Sequence, residues 1–256
     1  MREHHLDSSV PPSPTRVVMF DDAYEAGELL GIRLASLPYI KALNHGTTVL
    51  VGVTEGGLPL AYMVSAALPM RVEPAPVASV RAPFQRDIRV GMLVDDGTLY
   101  LEEQLGIQHG AYGSTLDHLT DRADEGLVEL MRNIGDKPGA AVAGCDVIVI
   151  DDVIDTGMTT IACVDWLRRW GARHVHMAAA VATQHGLDRA REAADTVTVL
   201  AMLDHDQAPS DVFARHVAPS MRQVINLAAA MQSLNLDRDE PTPEHACTRP
   251  PRAPHR

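Results

Sequence analysis

Val147-Ile-Val-Ile-Asp-Asp-Val-Ile-Asp-Thr-Gly-Met-Thr159 is the stretch whose reading decides the fold. Its four consecutive β-branched residues, Val147 to Ile150, read as a strand buried on both faces, the condition of central strands in parallel sheets. Asp151 and Asp152 follow where that strand is expected to end. In open parallel α/β sheets ligands sit beyond the carboxyl ends of the strands, so both acids would be delivered into a crevice. Asp155-Thr-Gly-Met-Thr-Thr160 then opens a helix. Backbone N–H groups at a helix start, a glycine for the tight turn and the hydroxyls of Thr156, Thr159 and Thr160 together make a cradle for a phosphate group. No Gly-Lys-Ser/Thr follows the glycine, which excludes a Walker-type nucleotide loop.

Outward from this segment, Val- and Ile-rich runs alternate with segments of helical period. That is the pattern of a mostly parallel sheet flanked by helices, an α/β fold. Toward the N-terminus the periodicity predicts a helix over 22–37, capped by Asp21 or Asp22 and stopped by Pro38, then a strand over 47–53. Thr54-Glu-Gly-Gly57 turns into a helix over 58–68, with Pro59 in its first turn. A strand is expected over 77–81. Strands over 89–94 and 98–101 form a hairpin around Asp95-Asp-Gly97, and a long helix covers 114–133 before a Gly/Pro break over 135–139. Within the deciding stretch the strand is expected over 146–150, with the helix behind it over 158–170 closed by Gly171. Strands over 173–182 and 196–202 flank a helix over 185–194, and residues 209–234 read as helical. One domain, 16–235, lies between tails 1–15 and 236–256, whose Pro, Ser, His and charged residues lack periodicity and read as disordered.

The 256 residues carry a formal net charge of −12, which repels nucleic-acid phosphates and leaves no general nucleic-acid-binding role. No apolar run is long enough to cross a bilayer, and the first residues lack the form of a signal peptide, so no membrane association and a cytoplasmic location are expected. Cys145, Cys163 and Cys247 have no metal-type spacing, and neither disulfides nor zinc are expected. Lys41 and Lys137 are the only lysines among 22 basic residues, so positive charge at any anion site must come from arginine.

Every position of Val147 to Thr159 fits the phosphoribosyl-pyrophosphate signature of type I phosphoribosyltransferases, which this chain resembles. The likeness extends to Val49-Leu-Val-Gly-Val-Thr-Glu-Gly-Gly-Leu-Pro-Leu-Ala-Tyr62 and to the hairpin, and is to a group of stand-alone bacterial enzymes, over about residues 17–226. It implies a hood built from the chain ends. It also implies transfer of the 5-phosphoribosyl group from phosphoribosyl pyrophosphate to a small-molecule acceptor, with release of pyrophosphate and with Mg²⁺ as cofactor. Asp151 and Asp152 would hold the ribose hydroxyls, directly or through the metal. Thr156, Gly157, Met158, Thr159 and Thr160 would hold the 5′-phosphate. The pyrophosphate would meet Thr54, Glu55, Gly56 and Gly57, with Arg81, Arg86 and Arg89 as cationic ligands. Glu55 departs from the pattern, since related enzymes carry Arg or Lys there. Asp155 is the candidate general base, its other reading being a helix N-cap. A homodimer is compatible with the resemblance.

The acceptor hood is expected from residues 20–37 and 202–217, where Asp204, His205, Asp206 and Asp211 supply an acidic lining. The lysine that serves 6-oxopurine enzymes has no counterpart after Lys137. Acids of this density suit a cationic aminocyclitol such as neamine, as in antibiotic biosynthesis. A nucleobase phosphoribosyltransferase of salvage and a non-catalytic regulator that binds phosphoribosyl pyrophosphate remain alternatives.

Overall fold

The computed structural model describes residues 19–53, 56–85, 88–134, 138–204, 212–215 and 220–238. Thr54, Glu55, Arg86, His205, Asp206, Asp211 and nearly all of the two tails lie outside them. In chain order the elements are α1 (Ala23–Ser36), α2 (Pro38–Lys41), β1 (Thr48–Gly52), α3 (Gly57–Ala67), β2 (Arg71–Pro74), β3 (Val77–Arg81), β4 (Arg89–Val94) and β5 (Leu99–Leu101). There follow α4 (Glu103–Gln108), α5 (Gly113–Ile134), α6 (Pro138–Val142), β6 (Asp146–Ile154), α7 (Met158–Arg169), β7 (His174–Ala182), α8 (Gln184–Ala193), β8 (Thr196–Met202) and α9 (Met221–Arg238).

Five strands form a parallel sheet in the order β2-β1-β6-β7-β8. The chain leaves β1 toward β2 on one side and β6 toward β7 on the other, so the sheet's switch point lies between β1 and β6, where open α/β sheets place ligands. Alternation along the strands sends Leu50, Ile148, Ile150, Ala178 and Ala180 into a core with α1, α3, α5 and α9. Val49, Val51, Val147, Val149, Val175 and Met177 enter a second core with α7, α8 and β4. Both faces of the central strands are therefore covered, and the uninterrupted apolar run of Val147 to Ile150 is the sequence form of that burial. β3, β4 and β5 make a separate antiparallel sheet, with Gly97 at φ 82° in the predicted tight turn.

Four expectations change. β6 does not end at Ile150 but continues to Ile154, because β7, apolar and buried over nearly its whole length, goes on pairing with it at Val153↔Val181 and Ile154↔Ala182. Residues 212–215 are not helical. Phe20 bridges Phe213 in parallel, with Ala214 N donating to Phe20 O at 2.9 Å, and the two rings tilt against each other with centroids 5.8 Å apart. The helix of that region starts only at Met221 and runs to Arg238, past the expected tail boundary. Cys145 is disulfide-bonded, against the expectation of free thiols, whereas Cys163 is free and buried.

The helix α1 begins as its sequence suggests: the Asp22 carboxylate accepts from the N–H groups of Tyr24 and Glu25 at 3.0 and 3.1 Å. Gly27 and Gly31 let it approach α3 closely, since a Cβ at Gly27 would lie 2.8 Å from Met63 Cβ and 2.9 Å from Leu60 Cα. Gly27→Val should therefore overpack this helix pair and lower the unfolding free energy by about 1–3 kcal/mol, read as a lower urea midpoint with an unchanged m-value.

Candidate active site

Extension of β6 changes the surroundings of its acids. Pairing with β1 stops at Gly52↔Ile150, whereas Asp151 is still paired with Ala179 of β7. Asp151 and Asp152 thus stand on an overhang whose β1 side is filled by the turn into α3. Val53 N donates to Ile150 O at 2.9 Å, and Leu58 N to Val53 O at 2.8 Å. The turn is pressed so tightly on β6 that a Cβ at Gly57 would overlap the Ile150 carbonyl oxygen, and one at Gly56 the Asp152 carboxylate. At Gly57 the obstacle is backbone and only glycine fits, whereas at Gly56 it is the end of the Asp152 side chain, which would have to move. Two motifs separated by about ninety residues are brought into contact here.

Asp151 is 1% exposed. Its Oδ1 accepts from Asp152 N at 2.9 Å, and its Oδ2 is buried without a partner. Burial pushes its carboxyl well above the usual carboxylate range, the adjacent Asp152 charge adds to this, and the Arg89 guanidinium opposes it. Asp152 is half-buried, its Oδ1 accepting from Val153 N at 2.8 Å. Two neighbouring carboxylates, one with an unused buried oxygen, are an oxygen donor set of the kind that takes Mg²⁺, which binds through one or two carboxylates together with substrate oxygens and water. Among the described residues no cluster of three or more His, Cys, Asp or Glu could form an all-protein metal cage.

The turn after β6 takes its shape from Gly157, at φ 76°, a left-handed conformation that residues with a Cβ rarely adopt. Thr156 Oγ1 accepts from Met158 N at 3.3 Å. Asp155, by contrast, is not the cap: Gly157 holds the N-cap position of α7, and the side-chain bond to the start of the helix comes from Thr156. The Asp155 side chain opens to solvent, yet partial desolvation by the loop walls raises its carboxyl above the ordinary value, outweighing Arg89 and His185. Thr159 and Thr160 are both buried in the first turn of α7. Thr159 Oγ1 accepts from Arg89 Nη1 at 2.7 Å, while Thr160 Oγ1 and Arg89 Nε are buried without partners.

The loop is held from behind by residues that the motif does not contain. Arg189 on α8 donates to Thr156 O at 2.8 Å and to the Glu102 carboxylate at the end of β5. Thr183, the N-cap of α8, donates from Oγ1 to Asp155 O at 2.5 Å, and a Cβ at Gly186 would overlap that same oxygen. Sequence reasoning missed Arg189, Glu102, Thr183 and Gly186, since all lie on other elements. Only the Thr at a helix start carried a local signal. The arginines grouped by sequence separate in space: Arg89 reaches Thr159 in the first turn of α7, whereas Arg81 lines a cleft of about 170 Å³ between β3 and α5, with Ser79 and Arg122. Asp204 is exposed just beyond β8, at the carboxyl edge of the sheet.

A family model described as the phosphoribosyl transferase domain matches residues 22–213. The chain belongs to the phosphoribosyl transferase domain family. A Mycobacterium tuberculosis protein that carries a provisional phosphoribosyl transferase name is 29% identical over 189 residues, which are 72% of this chain and 40% of that protein. The phosphoribosyl transferase domain described here thus spans less than half the length of that relative. A uracil phosphoribosyltransferase of Staphylococcus haemolyticus is 28% identical over 180 residues, covering 66% of this chain and 81% of that one. Among solved structures, a Thermus thermophilus protein superposes with a TM-score of 0.61 at 25% identity, covering 84% of this chain and 99% of its own. In this phosphoribosyl transferase domain the matched segment takes in β1, the hairpin, β6 and the turn before α7. No helix among the described residues is long and apolar enough to cross a membrane.

The raised carboxyl of Asp151 fixes a pH dependence. Its proton is bound more tightly in the folded state than in the unfolded chain, so its contribution to stability is fully present below the unfolded carboxylate range and is lost as pH rises from there through the raised folded value. Asp151→Asn keeps the acceptor for Asp152 N and removes the buried charge. The variant should melt higher than the parent at pH 7, with the gain shrinking toward pH 4, in thermal scans across that range.

Proposed function

We propose that this protein transfers the 5-phosphoribosyl group from phosphoribosyl pyrophosphate to a small-molecule acceptor and releases pyrophosphate. The observation that carries the reading is the seating of the Gly56-Gly57 turn on Asp152 and Ile150, which joins a turn suited to pyrophosphate with carboxylates suited to ribose. In this pose the ribose 2- and 3-hydroxyls bind Asp151 and Asp152, and the 5′-phosphate rests on the N–H groups and hydroxyls of Thr156, Gly157, Met158, Thr159 and Thr160. The pyrophosphate lies along Thr54, Glu55, Gly56 and Gly57, with Arg86 as its proposed cationic ligand, since Arg81 faces the cleft between β3 and α5 instead. Mg²⁺ held by the two aspartates would supply charge neutralisation for the leaving group.

The acceptor's nucleophilic atom forms a bond to the anomeric carbon as the bond from that carbon to the pyrophosphate oxygen breaks. Asp155 takes the proton that the acceptor loses. Its raised carboxyl moves it toward the basicity that such a step requires, and it is not committed to capping α7. Asp204, with His205, Asp206 and Asp211, gives the acceptor end an acidic character suited to a cationic aminocyclitol such as neamine, of the kind modified in antibiotic assembly. A second reading, a nucleobase acceptor as in salvage, is favoured by the similarity to a uracil phosphoribosyltransferase.

Pyrophosphate release from phosphoribosyl pyrophosphate and Mg²⁺, measured with a panel of nucleobases and aminocyclitols, tests both readings. Turnover with an aminocyclitol and none with bases is the expected result, and turnover with uracil alone would select the second. Tight donor binding without product from any acceptor would indicate a regulator instead. Asp155→Ala should lower kcat by roughly 10²–10⁴-fold while leaving the melting temperature unchanged, because the carboxylate caps nothing.

A further inference from the structure

The side chain of Arg89 is aimed by a defect in the hairpin. Pairing between β3 and β4 runs Val80↔Gly91 and then Arg81↔Arg89, so Val90 is an extra residue on β4. Such a bulge reverses the alternation of side chains. Met92 and Val94 face α7 in one core and Leu93 faces α5 in another. Regular alternation would send Val90 toward α7 and Arg89 away from it. Val90 instead packs with Val80 and Leu93, and Arg89 reaches Thr159 on α7. Beside the bulge, Gly91 lets β4 approach β5 closely, since a Cβ there would lie 2.6 Å from the Tyr100 carbonyl oxygen.

What the bulge delivers is a guanidinium with work left undone. Nη1 is fixed by Thr159 at 2.7 Å, and Nε is buried with no acceptor. The hydroxyl of Thr160, next along the same helix turn, is also buried and unpartnered. Two unsatisfied buried groups beside one phosphate cradle are expensive to maintain in a folded chain unless a ligand completes them. We propose that Arg89 is a ligand of the donor's 5′-phosphate, its Nε donating to a phosphate oxygen beside the Thr160 hydroxyl, and is not a ligand of the pyrophosphate. The inference rests on the donor reading above and deepens it: the cradle recognises a phosphate monoester dianion through a fixed cation as well as through backbone N–H groups.

The test is calorimetric binding of two fragments of the donor, ribose 5-phosphate alone and inorganic pyrophosphate with Mg²⁺, to the parent, Arg89→Met and Arg89→Lys proteins. A lost charged hydrogen bond corresponds to a loss on the order of 10- to 100-fold. Arg89→Met should weaken ribose 5-phosphate binding by that factor and leave pyrophosphate binding unchanged, with partial recovery in Arg89→Lys. Weaker pyrophosphate binding with unaltered ribose 5-phosphate binding would overturn the proposal while leaving the donor reading intact. Equal weakening of both fragments would also overturn it, by assigning Arg89 a purely structural part. If the parent protein binds neither fragment nor phosphoribosyl pyrophosphate, the donor reading fails and the inference fails with it.

Discussion

The constraint on which the site depends is the burial of a carboxylate at the end of the central strand. Asp151 sits in the last stretch of β6 with one oxygen used by the next backbone N–H and the other facing no protein donor. Burial and the neighbouring Asp152 charge both oppose its ionisation, and Arg89 only partly compensates. A chain selected for stability alone would have no reason to place two acids there, because an apolar or amide side chain would be cheaper. A cationic or hydroxyl-bearing ligand at this position would relieve that penalty, and stability given up by the fold would then become affinity in the complex. Burial on the overhang of β6 follows from the sheet, since β7 goes on pairing after β1 has stopped.

Around this point the structure concentrates side-chain contacts between the hairpin sheet and the loop before α7 together with α7 itself. Arg89 reaches Thr159, Arg189 joins Glu102 to the Thr156 carbonyl, Tyr100 donates to Asp165 at 2.9 Å, and Arg169 pairs with Asp96 at 3.0 Å. The exposed pairs contribute little energy individually. Their common effect is geometric. They fix the antiparallel sheet, which belongs to neither the parallel ladder nor its helices, against α7 and α8. Loop conformation and hairpin position are therefore coupled through named side chains, and a phosphate on the loop would meet a surface built from three elements.

Much of the architecture was legible because its signals are local. Val147 to Ile150 announces a strand covered on both faces, Asp22 a helix start, and Asp95-Asp-Gly97 a hairpin; the structure has all three. β2 was not legible: four residues ending in Pro74 make too short an apolar pattern, and proline is tolerated only because the strand lies at the sheet edge. The overhang of β6 was hidden because acids read as the end of a strand, whereas parallel pairing with β7 overrides that local preference. The deciding segment named the candidate side chains, but their support could not be read from it. Arg189, Glu102 and Thr183 act on main-chain oxygens and on each other, and no spacing in the sequence links them to the motif. Arg89 was visible as a cation, but its destination depends on a bulge that only the register reveals.

A crystal structure of the protein with phosphoribosyl pyrophosphate and Mg²⁺ bound addresses the central claim most directly. The account predicts ribose hydroxyls within hydrogen-bonding or metal-bridged reach of Asp151 and Asp152. It also predicts the 5′-phosphate on the first turn of α7 and the pyrophosphate against Gly56 and Gly57. A donor bound with its phosphate away from Thr156 to Thr160, or with Asp151 Oδ2 still unpartnered in the complex, would contradict it.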